Sequence, residues 1–185
     1  MFNATHYLAY LEANKDLPHV SKYHREGYLE HCLLVVDALF KDGAVHVHRR
    51  LYLAAILHDI AKPRTQGYNK VGEPCFYGHE EILDEELSQF LTPDDADYNY
   101  VKALILCHGL PYKVQTAADY TRTLIRSCDK TLRKAGSLVE VNDAFVSDLM
   151  CLHHADDNGS VRTDADLEGI EARCEEARRL VCTFN

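Results

Sequence analysis

The stretch "LYLAAILHDIAKP", residues 51–63, decides the fold. Mostly apolar residues run directly into His58 and Asp59, so a helix that is apolar nearly all round ends in two adjacent titratable groups. Such a helix belongs at the centre of a helical bundle. Burying an imidazole and a carboxylate without compensation is costly. The stretch therefore predicts a central helix whose polar end has partners elsewhere in the chain.

Helical periodicity dominates the rest of the sequence, which has only 9 Gly and 5 Pro in 185 residues. We predict an all-α, single-domain helical bundle of about seven to eight helices over residues 1–185, closed by an amphipathic helix within 161–185 that packs on the core. Residues 62–78 are the only strand-like segment. The predicted helices are 3–14, 27–41, 46–61, 79–91, 92–108, 117–135, 141–157 and 164–182.

Residues that start or stop helices set these boundaries. Thr92 and Pro93 predict an N-cap and a first helical position, and Thr116 predicts the next N-cap. Pro63 predicts the end of the central helix. Glycines just past three helices predict C-terminal caps: Gly43, Gly109 and Gly136.

The composition restricts the class of protein. A net charge of −9 argues against non-specific or duplex nucleic-acid binding, yet it permits a small phosphorylated substrate in a metal-loaded or locally positive pocket. The sequence has no run of 18 apolar residues and no leader-like start, so we expect no membrane span. Seven scattered cysteines without a C-x-x-C pair indicate a reducing compartment, and we expect a cytoplasmic protein.

Several His and Asp residues fall where core residues belong. On the helix over 141–157, the spacing of Phe145, Leu149, Leu152 and Asp156 selects Asp156 as an inward carboxylate. A lone inward His is usually a hydrogen-bonded core residue, but six inward titratable groups in one small domain point to a divalent metal. None of these six residues is a cysteine, and a mixture of His and Asp favours Mn, Fe, Ni or Co, with Mg possible, over structural zinc. The six are His31, His58, Asp59, His79, His108 and Asp156.

Five segments carry a family resemblance: "YHREGYLEHCLLVVDAL", "AAILHDIAKP", "CFYGHEEI", "LILCHGLPY" and "DLMCLHHADDNGS". Together they resemble the HD-domain metal-dependent phosphohydrolase superfamily, and the match is closer still to the HD domain of bacterial CCA-adding enzymes (tRNA nucleotidyltransferases). The resemblance covers roughly residues 18–160. Ala61 stands where that pattern more commonly has Gly. We find no nucleotidyltransferase segment, so CCA addition itself is not implied.

The resemblance implies roles for individual residues. His31, His58, Asp59 and Asp156 would form the core metal site. His79 and His108 match histidines that hold a second metal in some members, with Asp59 bridging the two ions. Asp59 and Lys62 would be the catalytic residues, although Lys62 is also a suitable cation for a helix C-terminus.

Further residues are candidates for substrate binding. Lys62 and Arg64 follow the HD pair and are placed to neutralise phosphate oxygens. Tyr77 and Tyr112 lie next to proposed ligand histidines and are candidates for stacking on a base. Arg122 and Arg126 belong to a basic stripe with Lys130 and Arg133, which either receives substrate phosphates or is a solvated face.

The sequence thus predicts a metal-dependent phosphohydrolase that uses one or two divalent ions. The resemblance favours 2′,3′-cyclic phosphodiester opening and phosphomonoester cleavage on a nucleotide or an RNA terminus. Two alternatives remain open at this point: a (d)NTP or nucleoside polyphosphate hydrolase, and a non-catalytic nucleotide-sensing HD module.

Overall fold

The computed structural model describes residues 2–19, 24–41 and 47–183, and within them it is almost entirely helical. This confirms the predicted all-α, single-domain fold, with eight helices of nine residues or more. The helices are α1 Ala4–Ala13, α2 Tyr28–Lys41, α3 Arg49–Leu57, α4 Lys62–Thr65, α5 His79–Leu87, α6 Tyr98–Cys107, α7 Leu110–Val114, α8 Tyr120–Lys134, α9 Asp143–Gly159 and α10 Ile170–Thr183. A 3-10 turn, Asp164–Leu167, precedes α10, and a small hairpin pairs β1 Gly67–Tyr68 with β2 Pro74–Cys75.

Helix α3 lies at the centre of the bundle, as its apolar sequence predicts. It packs against α2, α6 and α9, and every residue from Leu51 to Leu57 is buried. Helix α2 also packs against α10, which buries Cys174, Ala177 and Val181. The core is therefore arranged around the helix that ends at His58.

Helices α2 and α9 approach each other closely at Gly159. A Cβ atom at this position would lie 2.7 Å from Val35 Cγ2 and 2.8 Å from Val35 N. The sequence predicts a helix end near Gly159, and α9 ends at this residue. Because only glycine allows this crossing, Gly159 sets the distance between the two helices that carry His31 and Asp156.

The end of α3 differs from the prediction. The helix stops at Leu57 instead of residue 61, and Pro63 lies in the first turn of the separate short helix α4, where proline is tolerated. Carbonyls in the last turn of α3 and just after it accept hydrogen bonds from tyrosines. Tyr7 Oη donates to Ile56 O (2.6 Å), Tyr10 Oη to Ile60 O (2.9 Å) and Tyr28 Oη to Asp59 O (3.2 Å).

Two predicted helix starts are also wrong. The helix expected from Thr92 begins at Tyr98, because Arg49 binds Asp95 through both guanidinium nitrogens (2.7 Å each) and also Asp97, which holds this segment as a loop. The N-cap of α8 is Asp119, whose carboxylate accepts from Arg122 N, and not Thr116.

Of the three glycines predicted to cap helix C-termini, one does so in the structure, one does not, and one lies outside the described residues. Gly136 adopts a positive φ of 67° after α8, as expected of a helix C-terminus. Gly109 has φ −81° and instead precedes the short helix α7. The predicted stop at Gly43 and the predicted start at residue 46 lie outside the described residues. None of the described helices is both long and apolar enough to cross a bilayer.

Candidate metal centre

The structure brings all six inward His and Asp residues to one end of α3. His31 comes from α2, His58 and Asp59 from the turn after α3, and Asp156 from α9. These four side chains are buried, between 0% and 9% exposed. His79 at the start of α5 and His108 at the end of α6 lie at the edge of the same group and are partly buried.

Four donor atoms of this group face one another. His31 Nε2 lies 3.2 Å from Asp156 Oδ1, 3.3 Å from His58 Nε2 and 3.5 Å from Asp59 Oδ2. His58 Nε2 lies 3.2 Å from Asp59 Oδ2 and 3.7 Å from Asp156 Oδ1. Ligands about 2.1 Å from one transition-metal ion lie about 3 Å apart at adjacent corners, so these spacings fit a common ion.

Three of the histidines are oriented by the same backbone contact. The Nδ1–H group of each donates to the carbonyl three residues earlier: His58 to Ala55 (2.8 Å), His79 to Phe76 (2.7 Å) and His108 to Ile105 (2.6 Å). A carbonyl can only accept, so Nδ1 carries a proton, and in the neutral ring Nε2 is the nitrogen with the lone pair for a metal. Metal-binding histidines are commonly fixed in this way.

His31 has a carboxylate within ion-pair distance of Nδ1, although Nδ1 makes no well-aligned hydrogen bond within the described residues. Glu26 Oε1 lies 3.2 Å from His31 Nδ1 and 2.7 Å from His24 Nδ1, while Glu26 Oε2 accepts from Val161 N (2.9 Å). Glu26 is only 2% exposed. Sequence reasoning missed this residue because it lies before α2, in a segment without helical periodicity.

Asp59 has unsatisfied oxygens at the centre of the group. Neither Oδ1 nor Oδ2 accepts a well-aligned hydrogen bond within the described residues, although Lys62 Nζ lies 2.6 Å from Oδ2. Burial alone would raise the pKa of Asp59, but the charges of His58 and Lys62 hold it well below its ordinary value. A buried, ionised carboxylate with unused lone pairs is suited to a cation.

The two oxygens of Asp59 face different histidines. Oδ2 faces His31 and His58, whereas Oδ1 lies 4.0 Å from His108 Nε2. The rings of His79 and His108 are neighbours, with their centroids 6.1 Å apart. This geometry is compatible with the predicted second ion on the side of His79 and His108.

A cavity of about 430 Å³ opens onto this group. Asp59 and Asp156 in this cavity are buried, His108 is partly buried, and Lys62 lies beside Asp59. The exposed side chains of Tyr112, Lys113 and Arg162 form its rim. Volumes of this size are typical of small-molecule sites.

The family follows from comparison with known sequences. A family model described as the HD domain matches residues 28–180, most of the chain. The chain belongs to the HD-domain family. Proteins of this family are generally metal-dependent hydrolases that bind divalent metals, which agrees with the His and Asp cluster found here. No curated protein sequence matches the chain.

We call the group formed by the six residues His31, His58, Asp59, His79, His108 and Asp156 the HD centre. A second group of histidines beside it also has side chains close enough together to bind one metal ion. His19, His24 and His31 can bring one ring nitrogen each within 4.8 Å of the others. However, Lys62 Nζ lies 3.2 Å from His19 Nε2, and its ammonium would repel a cation. Burial and Lys62 lower the pKa of His19 to about 2, so its neutral ring accepts from Lys62 and positions that side chain.

The remaining predicted residues are distributed differently. Lys62 and Tyr112 line the cavity of the HD centre, as does His24. Arg64 does not line it, because Arg64 Nη1 binds Glu85 and the buried Glu86 at 2.6 Å each.

The other predicted substrate-binding residues lie away from this cavity. Tyr77 is 80% exposed, next to the small hairpin. Arg122 and Arg126 are exposed on α8, outside this cavity. The rim residues Lys113 and Arg162 had no sequence signal.

Proposed function

We propose that this chain is a metal-dependent phosphohydrolase that cleaves a phosphoester of a nucleotide or an RNA terminus, of the 2′,3′-cyclic phosphodiester or phosphomonoester type. The observation that carries the proposal is the convergence of fixed Nε2 atoms and two buried carboxylates at the base of a cavity rimmed by cations. The resemblance to the HD domain of CCA-adding enzymes supports the choice of substrate.

The proposed ligands divide into two sets. His31, His58, Asp59 and Asp156 would hold one ion, and His79 and His108 would hold a second, with Asp59 shared between them. Mn, Fe, Ni or Co suits this mixture of imidazole and carboxylate. When bound, such ions activate water as a nucleophile and stabilise negative charge on phosphoryl oxygens.

The protein's own cations would bind the substrate. Burial works to lower the pKa of Lys62, but Asp59 raises it above its ordinary value, so the ammonium stays charged. It lies inside the cavity, where it can neutralise a phosphate oxygen. Lys113 and Arg162 at the rim provide positive charge for the rest of the substrate, although Arg162 is also paired with Asp157. The Tyr112 ring packs edge-on against the His153 ring, with the ring centroids 4.3 Å apart, and is placed to contact a base.

The test is hydrolysis after metal reconstitution. Purified protein is loaded separately with manganese, iron, nickel, cobalt or magnesium and assayed on p-nitrophenyl phosphoesters, 2′,3′-cyclic nucleotides, nucleoside monophosphates, ATP and dNTPs. We expect turnover of cyclic phosphodiesters or phosphomonoesters, and its loss by at least about a hundredfold in Asp59→Ala.

The matched control is Asp37→Asn. Asp37 is as buried as Asp59 (2% exposed) but pairs with Lys41 and Arg173, away from the HD centre. It should keep its activity if folded. Release of pyrophosphate or triphosphate would favour the polyphosphate alternative. Tight nucleotide binding without any product would favour a sensing module and reject the hydrolase.

A further inference from the structure

Helix α8 presents a row of cations to solvent. Its inner face buries Leu124, Cys128 and Leu132 against the core. Its outer face contains one acid, Asp129, for five bases. The five exposed bases are Arg122, Arg126, Lys130, Arg133 and Lys134.

These bases are unpaired, in contrast with other cations of the chain. None of the five forms an ion pair or side-chain hydrogen bond within the described residues, whereas Arg49, Arg64 and Arg173 each bind a carboxylate at 2.5–2.7 Å. A chain of net charge −9 has ample carboxylates to neutralise such a row. The row therefore offers a local positive surface to a ligand that is itself a polyanion.

The row connects to the HD centre through Lys113. Helix α7, which carries Lys113, packs against α8. Lys113 lines the cavity over the proposed metal ligands and also a neighbouring cavity of about 540 Å³, which Thr131 and Lys134 of α8 line as well. Lys113 is exposed and has no ion pair within the described residues. Positive charge thus continues from the HD centre to the C-terminal end of α8.

Two carboxylates also line the neighbouring cavity. Asp84 is neutralised by Lys102 at 2.8 Å and accepts from Tyr98 Oη at 2.7 Å. Glu81 comes from α5, whereas Lys113 comes from α7 and Lys134 from α8. The basic side of this cavity, formed by Lys113 and Lys134, is therefore the side along which a polyanion would pass.

We propose that the substrate of the HD centre is the end of a single-stranded polynucleotide, which runs from the metal ligands past Lys113 and along the outer face of α8. We call Lys113, Arg122, Arg126, Lys130, Arg133 and Lys134 the basic track. The inference rests on the proposed function only in stating that the end of the strand reacts at the HD centre. Binding of the strand to the basic track does not depend on that reaction. A single strand is favoured because it can bend from the cavity onto a helix, whereas the rest of the surface repels a duplex.

The dimensions of α8 fit such a strand. From Arg122 to Arg133 the helix rises about 16 Å, a length that spans several phosphates of a single strand. Along the axis, Arg122, Arg126 and Lys130 are spaced about 6 Å apart, and Arg133 follows after about 4.5 Å. Mobile Arg and Lys side chains can therefore reach most phosphates of this length without reading sequence.

The test measures binding of a fluorescein-labelled RNA of about twelve nucleotides to the full chain by anisotropy, over a range of salt concentrations. The variant is Arg126→Gln/Lys130→Gln on the track. The control is Arg178→Gln/Arg179→Gln on α10, which changes the net charge equally, and both folds are checked by circular dichroism. We expect the track variant to raise Kd at least about fivefold at low salt and to reduce the salt slope by about 1.4, for two lost phosphate contacts.

The outcomes separate this proposal from the proposed function. Equal weakening by both variants, or by neither, would overturn the track, as would preferential binding of poly-glutamate or anionic vesicles. In the track variant, KM for a terminally phosphorylated RNA should rise more than KM for a mononucleotide. If no phosphoester is hydrolysed but RNA binding follows the track, the proposed function fails and the track stands.

Discussion

Glu26 Oε1 lies 3.2 Å from His31 Nδ1, so a buried carboxylate stands behind a proposed metal ligand. Such a partner fixes the ring and raises its basicity towards the ion. We therefore expect Glu26→Gln to weaken metal binding by about 10- to 100-fold, measured by competition with a chelating dye.

Glu86→Gln is the matched control for this change. Glu86 is equally buried, at 1% exposure, but binds Arg64 instead of a metal ligand. Its metal affinity should stay within about twofold of the parent chain. Equal losses in both variants would mean that Glu26 acts only through the stability of the fold.

Metal binding should depend on pH through His31. Burial works to lower the pKa of His31, but its contacts with Asp156, Asp59 and Glu26 raise it well above its ordinary value in the metal-free chain. A proton must therefore leave His31 before it can bind an ion, and this competition extends to a higher pH than for an ordinary histidine. Below the raised pKa, we expect affinity to fall by about tenfold per pH unit as the pH decreases.

Titration of Mn²⁺ binding between about pH 6 and 9 checks this pH dependence, together with calorimetry in buffers of different ionisation enthalpy, which counts released protons. An affinity that is constant across this range would contradict it. In Glu26→Gln the dependence should shift to lower pH, because one contact that raises the pKa of His31 is lost.

The closeness of α2 and α9 at Gly159 predicts a steric effect on the HD centre. Gly159→Ala places a Cβ within 3 Å of Val35 backbone and side-chain atoms, so the helices must separate. We expect a loss of about 1–3 kcal/mol of unfolding free energy and weaker metal binding, because His31 and Asp156 lie on the two helices. Thermal unfolding and dye competition measure the two effects.

Gly109→Ala is the control for this change. Nothing lies within 4 Å of a Cβ at Gly109, and its φ of −81° suits alanine. Its stability should be unchanged or slightly higher. A Gly159→Ala variant as stable as Gly109→Ala would show that α2 and α9 have room to move.

The tyrosine contacts after α3 predict a stability effect without a change in charge. Tyr7→Phe leaves the buried Ile56 carbonyl without its 2.6 Å hydrogen bond, and an unsatisfied buried acceptor costs about 1–3 kcal/mol. The control Tyr68→Phe removes a hydroxyl from a side chain that is 62% exposed. Urea unfolding should distinguish the two; equal midpoints would contradict the role of Tyr7.

The sequence predicted the parts of this molecule that follow from periodicity. The apolar run before His58 places α3 at the centre, and the spacing from Phe145 to Asp156 correctly makes Asp156 buried. These predictions succeed because burial of a helical face is a local pattern.

Contacts between distant segments could not be predicted in this way. Arg49 binds Asp95, which overrides the helix-start signal at Thr92 and Pro93. Tyrosines from α1 and α2 satisfy the turn at His58, so α3 ends earlier than its apolar pattern suggests. Glu26, Lys113 and Arg162 join the candidate site only through tertiary packing, and no sequence periodicity marks them. The roles proposed for the site residues remain predictions.

The tyrosine hydroxyls that bind carbonyls at the end of α3 also matter for choosing the first residue of a shortened chain. The family match starts at residue 28, after α1. A chain trimmed to 28–180 would keep all six proposed ligands but lose Tyr7 and Tyr10, which hold the carbonyls of Ile56 and Ile60, and also Glu26. The family match thus begins after residues that hold the His58–Asp59 turn in place. Anyone who minimises this protein for expression should retain its first helix.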